Sequence, residues 1–235
     1  MGKYDFDEMT CRRGTSCVKW DANSPCGPIS EDVIPLWVAD MDFKAAPAIF
    51  EAVKKRAEHG VFGYTIVEED YYEAVISWFR RRHNWTIRRE EILYTTGVVP
   101  AMSVAIKALT MPGEKVLILS PDYNCFFSSV RNNGCEVLET PLRRVGDTFE
   151  VDFEDFEAKC ADEKTTLFLL CNPHNPCGRV PHRAAGRSIA PLRRRSRGNR
   201  RLRVCPLGAG CCGYRRWSRR GDDGAPVRCT CGRSR

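Results

Sequence analysis

The chain lacks any run of apolar residues approaching the roughly 18 that would cross a membrane. Residues 1–7 are charged and have no signal-peptide-like apolar stretch. A membrane-embedded or secreted protein is thereby set aside, and a cytoplasmic one is expected. Cys-x-x-Cys spacing is missing too, although the chain holds 13 cysteines among 235 residues. Eight of these are scattered through residues 1–180 without paired spacing. Free thiols are therefore expected rather than a disulfide framework, and no metal site is expected. Lysine and glutamate are absent from residues 181–235.

What is present is ordinary at first sight: 43% apolar and 29% charged residues, enough for a folded core and too apolar for wholesale disorder. The net charge of +7 conceals a split. Residues 1–180 carry 21 Lys+Arg against 28 Asp+Glu, whereas residues 181–235 carry 16 Arg and two Asp. The expected organisation is an N-terminal segment over residues 1–45, an α/β body over 46–180 and an Arg-rich, disordered tail over 181–235.

Periodicity supplies the elements. Pro47, Ile49, Val53 and Ala57, with Gly60 beyond, predict a helix with a proline start and a glycine stop. Tyr72, Val75, Ile76 and Phe79 predict a second, ended by Arg80-Arg81-Arg82 at the negative end of its dipole. Ile92-Leu93-Tyr94 reads as a strand. Met102, Ala105, Ile106 and Leu109 read as a helix stopped by Pro112-Gly113. Val116-Leu117-Ile118-Leu119, Cys135-Glu136-Val137-Leu138 and Thr166-Leu167-Phe168-Leu169-Leu170 read as further strands. Apolar strands without alternation, separated by helices, predict an α/β fold with a mostly parallel sheet covered on both faces.

Ligands of such sheets gather outside the carboxyl ends of strands, which singles out residues 95–99, 120–123 and 171–178. Gly97-Val98-Val99 opens a helix whose free N–H groups favour an anion such as phosphate; a simple tight turn is the alternative. Tyr123, directly after a strand, is placed either to stack on a flat cofactor or to pack in the core. In Asn172-Pro173-His174-Asn175-Pro176-Cys177-Gly178, two prolines fix the backbone around an amide able to donate to an oxyanion. Capping asparagines in a proline-rich loop are the alternative.

These turns occur in order with Leu36-Trp37-Val38-Ala39-Asp40-Met41-Asp42-Phe43 and His59-Gly60-Val61-Phe62-Gly63-Tyr64. Together they resemble the pyridoxal-phosphate (PLP) enzymes of aminotransferase class I/II, fold type I. Within that family the resemblance is to the MalY/PatB-type cystathionine β-lyases (cysteine-S-conjugate β-lyases), and it covers residues 1–180. It implies part of the family's large domain and a PLP cofactor. The backbone of Val98 and Val99 would lie on the cofactor phosphate, Tyr123 on the pyridine ring and Asn175 on the phenolic oxygen. Tyr64 would reach the phosphate of a neighbouring subunit's cofactor in a homodimer, and Ala39 would approach the substrate carboxylate. The implied reaction eliminates a thiol from an amino-acid thioether, leaving pyruvate and ammonia. An aminotransferase shares these cofactor contacts and stands as the alternative.

Beyond residue 180 the family would continue with an aspartate for the pyridine nitrogen, a Schiff-base lysine and a small domain. None is recognisable in residues 181–235, so no catalytic residue is assigned and an inactive fragment is expected. Arginine, glycine, proline and cysteine without lysine or glutamate are what GC-rich coding DNA yields out of frame, and a frameshift near Val180 is expected. The reading from another class makes the tail a nucleic-acid-binding arm, with phosphate contacts and Tyr214 or Trp217 stacking on bases. The tail lacks the residue spacing of a known binding module.

Overall fold

The computed structural model describes residues 4–22, 30, 32–180 and 202–207. The chain divides into two compact units between Ile66 and Val67, so the helix beginning at Pro47 groups with the N-terminal segment.

The first unit contains α1 (Val18–Asp21) and α2 (Pro47–Glu58). Proline at the start of α2 sacrifices an N–H that has no intrahelical acceptor there, and the apolar residues form the stripe that the spacing predicts. No residue of that helix is buried, and Ile49, Phe50 and Val53 are exposed. Among the described residues of this unit only Lys19 and Pro35 are buried.

The second unit opens with α3 (Glu69–His83), which buries Tyr72 and Phe79 and ends at Asn84 in left-handed backbone with φ 45°. The three arginines lie in its last turn, as expected. A single 3-10 turn (Arg89–Glu91) follows. Ile92-Leu93-Tyr94 then runs outside the sheet, with Leu93 and Tyr94 exposed, which corrects the expected strand. An apolar triplet becomes a strand only when a neighbouring backbone takes up its N–H and C=O groups, and no described strand pairs with it.

The remaining elements are α4 (Val98–Leu109), β1 (Lys115–Ser120), α5 (Asn124–Asn132), β2 (Glu136–Val145), β3 (Thr148–Val151), α6 (Phe153–Cys160), β4 (Thr165–Cys171) and β5 (Arg203–Leu207). The sheet order is β3-β2-β1-β4-β5. Strands β2, β1, β4 and β5 are mutually parallel, and β3 closes one edge as an antiparallel hairpin with β2. Both faces are covered, as the unalternating apolar runs require. Val116, Ile118, Leu167 and Leu169 meet Met102, Ile106, Phe126 and Val130 from α4 and α5. On the other face Leu117, Leu119 and Phe168 meet Phe156 and Cys160 from α6. Phe156 and Phe168 pack edge to face, ring centroids 4.9 Å apart.

The tail departs from the expectation of disorder at residues 202–207. The backbone of β5 pairs with the edge of β4 from Leu167↔Arg203 to Cys171↔Leu207. Leu202 joins the α6 cluster and Cys205 the α4/α5 cluster, so three residues' separation sends them to opposite faces. A free strand edge and a short segment with apolar residues for both faces are sufficient cause. The nucleic-acid and frameshift readings otherwise fall on residues outside those described. Among the described residues no helix is long and apolar enough to cross a membrane.

Candidate functional site

Two adjacent parallel strands, β1 and β4, end side by side, and α4 brings a third group to the same end. Arg203, the first residue of β5, donates from Nη1 to the Leu109 carbonyl at 2.7 Å. Thr110 Oγ1 lies 3.2 Å from Cys135 Sγ, immediately before β2. The last turn of α4 therefore sits where the parallel strands begin. A helix of 12 residues runs about 18 Å, close to the length of β1. Packed against the sheet through Met102, Ala105 and Ile106, it carries Val98 and Val99 to the strands' carboxyl end.

Gly97, the N-cap of α4, has extended backbone with φ 161°, outside the left-handed region, so no left-handed turn demands glycine there. Its carbonyl accepts the first intrahelical bond, from Ala101 at 3.0 Å. The third helical residue is Pro100, which has no N–H, so the first-turn donors are those of Val98 and Val99. Both residues are exposed. The turn thus leaves two exposed backbone donors at a helix N-terminus.

Tyr123 is the N-cap of α5, and its side chain is 44% exposed, so core packing is not its role. A hydrogen bond with the Cys125 thiol raises its phenol above the ordinary range. Its N–H donates to Asp122 Oδ1 at 2.7 Å. Burial pushes the Asp122 carboxyl up to about 6, against the opposing effect of the Tyr123 N–H.

The loop after β4 is closed by its own backbone: His174 N–H donates to the Arg179 carbonyl at 2.7 Å, and Gly178 N–H to the His174 carbonyl at 2.8 Å. Gly178 has φ 62°, a left-handed conformation that favours glycine. His174 is buried, with Nε2 3.3 Å from the Leu119 carbonyl near the end of β1. Burial lowers its pKa, so the neutral ring donates that bond and ties the two loops together. Asn175 is exposed at the tip, and its N–H donates to Cys171 Sγ at 3.3 Å. Val98, Val99, Tyr123 and Asn175 thus share one end of one sheet.

Ala39 and Tyr64 belong to the first unit, both exposed. The segment holding Ala39 is pinned by charge. Arg12 bonds Asp40 and Asp42, and the buried Lys19 ammonium reaches Asp42 Oδ2 at 2.5 Å and the Asp40 carbonyl at 3.0 Å. Trp20 Nε1 donates to Asp42 Oδ1 at 2.8 Å. Lys19, then Trp20 and Arg12, hold Asp42 well below the usual carboxylate range.

Sequence patterns did not single out Asp122, Cys171 or His174 as partners. The available signal was a carboxyl, a thiol and an imidazole immediately beyond apolar strands, where burial perturbs acidity.

A family model described as "Aminotransferase class I and II" matches residues 31–198, running past Val180. The chain is 45% identical over 175 residues to a protein named "Cystathionine beta-lyase PatB" from Bacillus subtilis, covering 74% of this chain and 45% of that one. The crystal structure of cystalysin from Treponema denticola, which contains a pyridoxal 5'-phosphate cofactor, aligns with TM-score 0.76 and 33% identity. That alignment covers 86% of this chain and 51% of the other. A PLP-bound C-S lyase from Staphylococcus hominis aligns with TM-score 0.75 and 27% identity, over 88% of this chain and 51% of that one. The chain spans about half the length of these relatives.

Proposed function

Because the chain belongs to the class I and II aminotransferase family, we propose that the carboxyl end of its sheet binds pyridoxal 5'-phosphate. We propose further that the protein is a C–S β-lyase acting on cystathionine or cysteine S-conjugates. The observation that carries this is the gathering of Val98, Val99, Tyr123 and Asn175 at that end. Two free backbone donors at a helix N-terminus, an exposed aromatic ring and an exposed side-chain amide fit a flat, phosphorylated, phenol-bearing ring.

When bound, PLP supplies a conjugated ring that stabilises charge developing at the substrate's Cα. The chain's own residues bind and orient. Val98 and Val99 donate backbone N–H groups to the phosphate, Tyr123 lays its ring on the pyridine, and Asn175 donates its amide to the phenolic oxygen. By the family resemblance Ala39, on a segment stiffened by Arg12, Lys19 and Asp42, would approach the substrate carboxylate. Tyr64, fully exposed, reaches the phosphate held by a second copy. A homodimer also gives the uncovered Ile49, Phe50 and Val53 stripe of α2 something to pack on. The eight described cysteines are free thiols, which supports a cytoplasmic protein. An aminotransferase has less support, because the Bacillus subtilis and Staphylococcus hominis relatives above carry lyase names.

Added PLP is expected to bind this chain reversibly, followed by equilibrium dialysis. Borohydride treatment should leave no cofactor mass on residues 181–235, which contain no lysine, and on residues 1–180 only a substoichiometric mass spread over their nine lysines. A chimera joining residues 1–180 to the C-terminal half of the Bacillus subtilis relative should release pyruvate from cystathionine. Amino-group transfer to a keto acid without pyruvate release would instead establish an aminotransferase.

A further inference from the structure

The chain leaves β1 towards β2 and β3 on one side and then crosses to β4 and β5 on the other. In open parallel sheets the crevice at such a reversal is where ligands bind. The backbone ladder between β1 and β4 ends at Leu117↔Phe168, although β1 continues to Ser120 and β4 to Cys171. Beyond that last rung a side chain bridges the two. His174 is buried in the loop after β4, and its Nε2 lies 3.3 Å from the Leu119 carbonyl. A carbonyl oxygen only accepts, so the ring proton sits on Nε2. Nδ1 is then an acceptor, and it is buried without a partner among the described residues. The ring therefore exerts its hydrogen bonding through one bond. Its own backbone is held independently, with the N–H given to the Arg179 carbonyl at 2.7 Å and the carbonyl taking the Gly178 N–H at 2.8 Å.

We infer that His174 is a positioning residue: its Nε2–H clamps the closed loop after β4 to the end of β1 and so fixes the spacing of Asn175 from Tyr123. Asn175 is the next residue after His174, and Tyr123 follows Leu119 by one short turn. The path from the exposed amide to the exposed ring thus runs through this single bond and a few residues of backbone. A ring stacked on one face of a cofactor and an amide at its edge act together only at a set separation, which a buried bond to backbone maintains. The consequence for the cofactor rests on the PLP reading; the clamp itself does not.

The first arm of the test reads the proton. The full chain, with its histidine rings labelled with nitrogen-15, is observed by NMR at about pH 7.5, where the buried ring is neutral. One imidazole N–H, on Nε2, should exchange with water slowly enough to be seen, and it should vanish in His174→Gln. A proton on Nδ1, or no protected imidazole proton, overturns the clamp. If His174→Gln does not fold, substitution of His59, His83 and His182 identifies the remaining ring. The second arm is amide hydrogen exchange of the full chain on peptides spanning residues 120–124 and 171–178. His174→Phe keeps an aromatic ring without a donor and should lower protection of both peptides about tenfold. His174→Gln places an amide nitrogen where Nε2 sits and should stay within about twofold of the unsubstituted chain. Equal behaviour of the two variants overturns positioning by this bond. Dialysis against PLP should follow the same order. A chain that shows the protected proton and the Phe–Gln contrast without binding PLP sinks the cofactor reading alone. PLP binding that is equal in both variants, with equal exchange, sinks the clamp alone.

Discussion

The two units of this chain are held by different physics. In the second, β1 and β4 bury almost every side chain between α4 and α5 on one face and α6 on the other. In the first, an ammonium and a proline are the only buried described side chains, and the order comes from Arg12, Lys19 and Trp20 around Asp40 and Asp42. Apolar burial is cooperative and insensitive to charge; a polar clasp is local and titratable. The unit that carries the strand-tip groups is thus the one whose backbone a buried core fixes. Phe168→Ala is the strongest way to break this contrast. It removes a fully buried ring packed on Phe156, and about 3–5 kcal/mol should be lost. Denaturant unfolding of the second unit should move accordingly, while protease cleavage near residues 36–43 should not change.

Acid is the second lever, and the two units should answer it oppositely. Asp122 is raised to about 6 from 3.8. Its stabilising contribution is therefore complete below about pH 4 and is lost as pH rises through about 6. Asp42 is lowered from 3.8, so its contribution is present above that value and lost as pH falls through its folded value. Between about pH 6 and about pH 4, acid should tighten the second unit and leave the first unchanged; further acid should loosen the first. Peptide-resolved hydrogen exchange reads both, and parallel responses would erase the distinction. Asp42→Asn should make the first unit loose at every pH.

How far the sequence foretold this follows the same divide. Val116 to Leu119 and Leu167 to Leu170 were legible because strands buried on both faces need no partner identity to be recognised, only an unbroken apolar run. The stripes of α3 and α4 were legible from their spacing. Ile92-Leu93-Tyr94 was misread because a strand is a property of two segments and its composition describes one. Helix α6 carried a signal that went unused: Asp152 caps it by accepting the Asp155 N–H, and Phe153, Phe156 and Cys160 recur at helical spacing. Of the site, the turns themselves were legible as glycine, proline and asparagine beyond apolar strands. The contacts between them were not, because His174 and the Leu119 carbonyl it meets are separated widely along the chain and nothing local marks either as a partner.

Tyr123→Ala tests whether the well-packed unit alone holds the cofactor groups. The side chain is exposed, so thermal stability should hardly move, whereas loss of stacking worth about 1 kcal/mol should weaken PLP binding several-fold to about tenfold. Dialysis against PLP measures it. Unchanged affinity would remove Tyr123 from the site and leave the α4 donors and Asn175 as its remaining support.

The smallest effect concerns a polar contact placed inside the apolar unit. Arg203 donates to the Leu109 carbonyl at 2.7 Å, closing the last turn of α4 with a cation where the helix dipole is negative. It is exposed, so water competes for both partners. Arg203→Ala should therefore cost about 0.5–1 kcal/mol, far less than Phe168→Ala, and Arg203→Lys should restore part of it. A loss as large as that of a core residue would mean that β5 depends on this one bond for its pairing. In that case the Arg-rich segment would be attached to the sheet by a clasp of the same kind that orders the first unit, and burial of Leu202 and Cys205 would be its consequence.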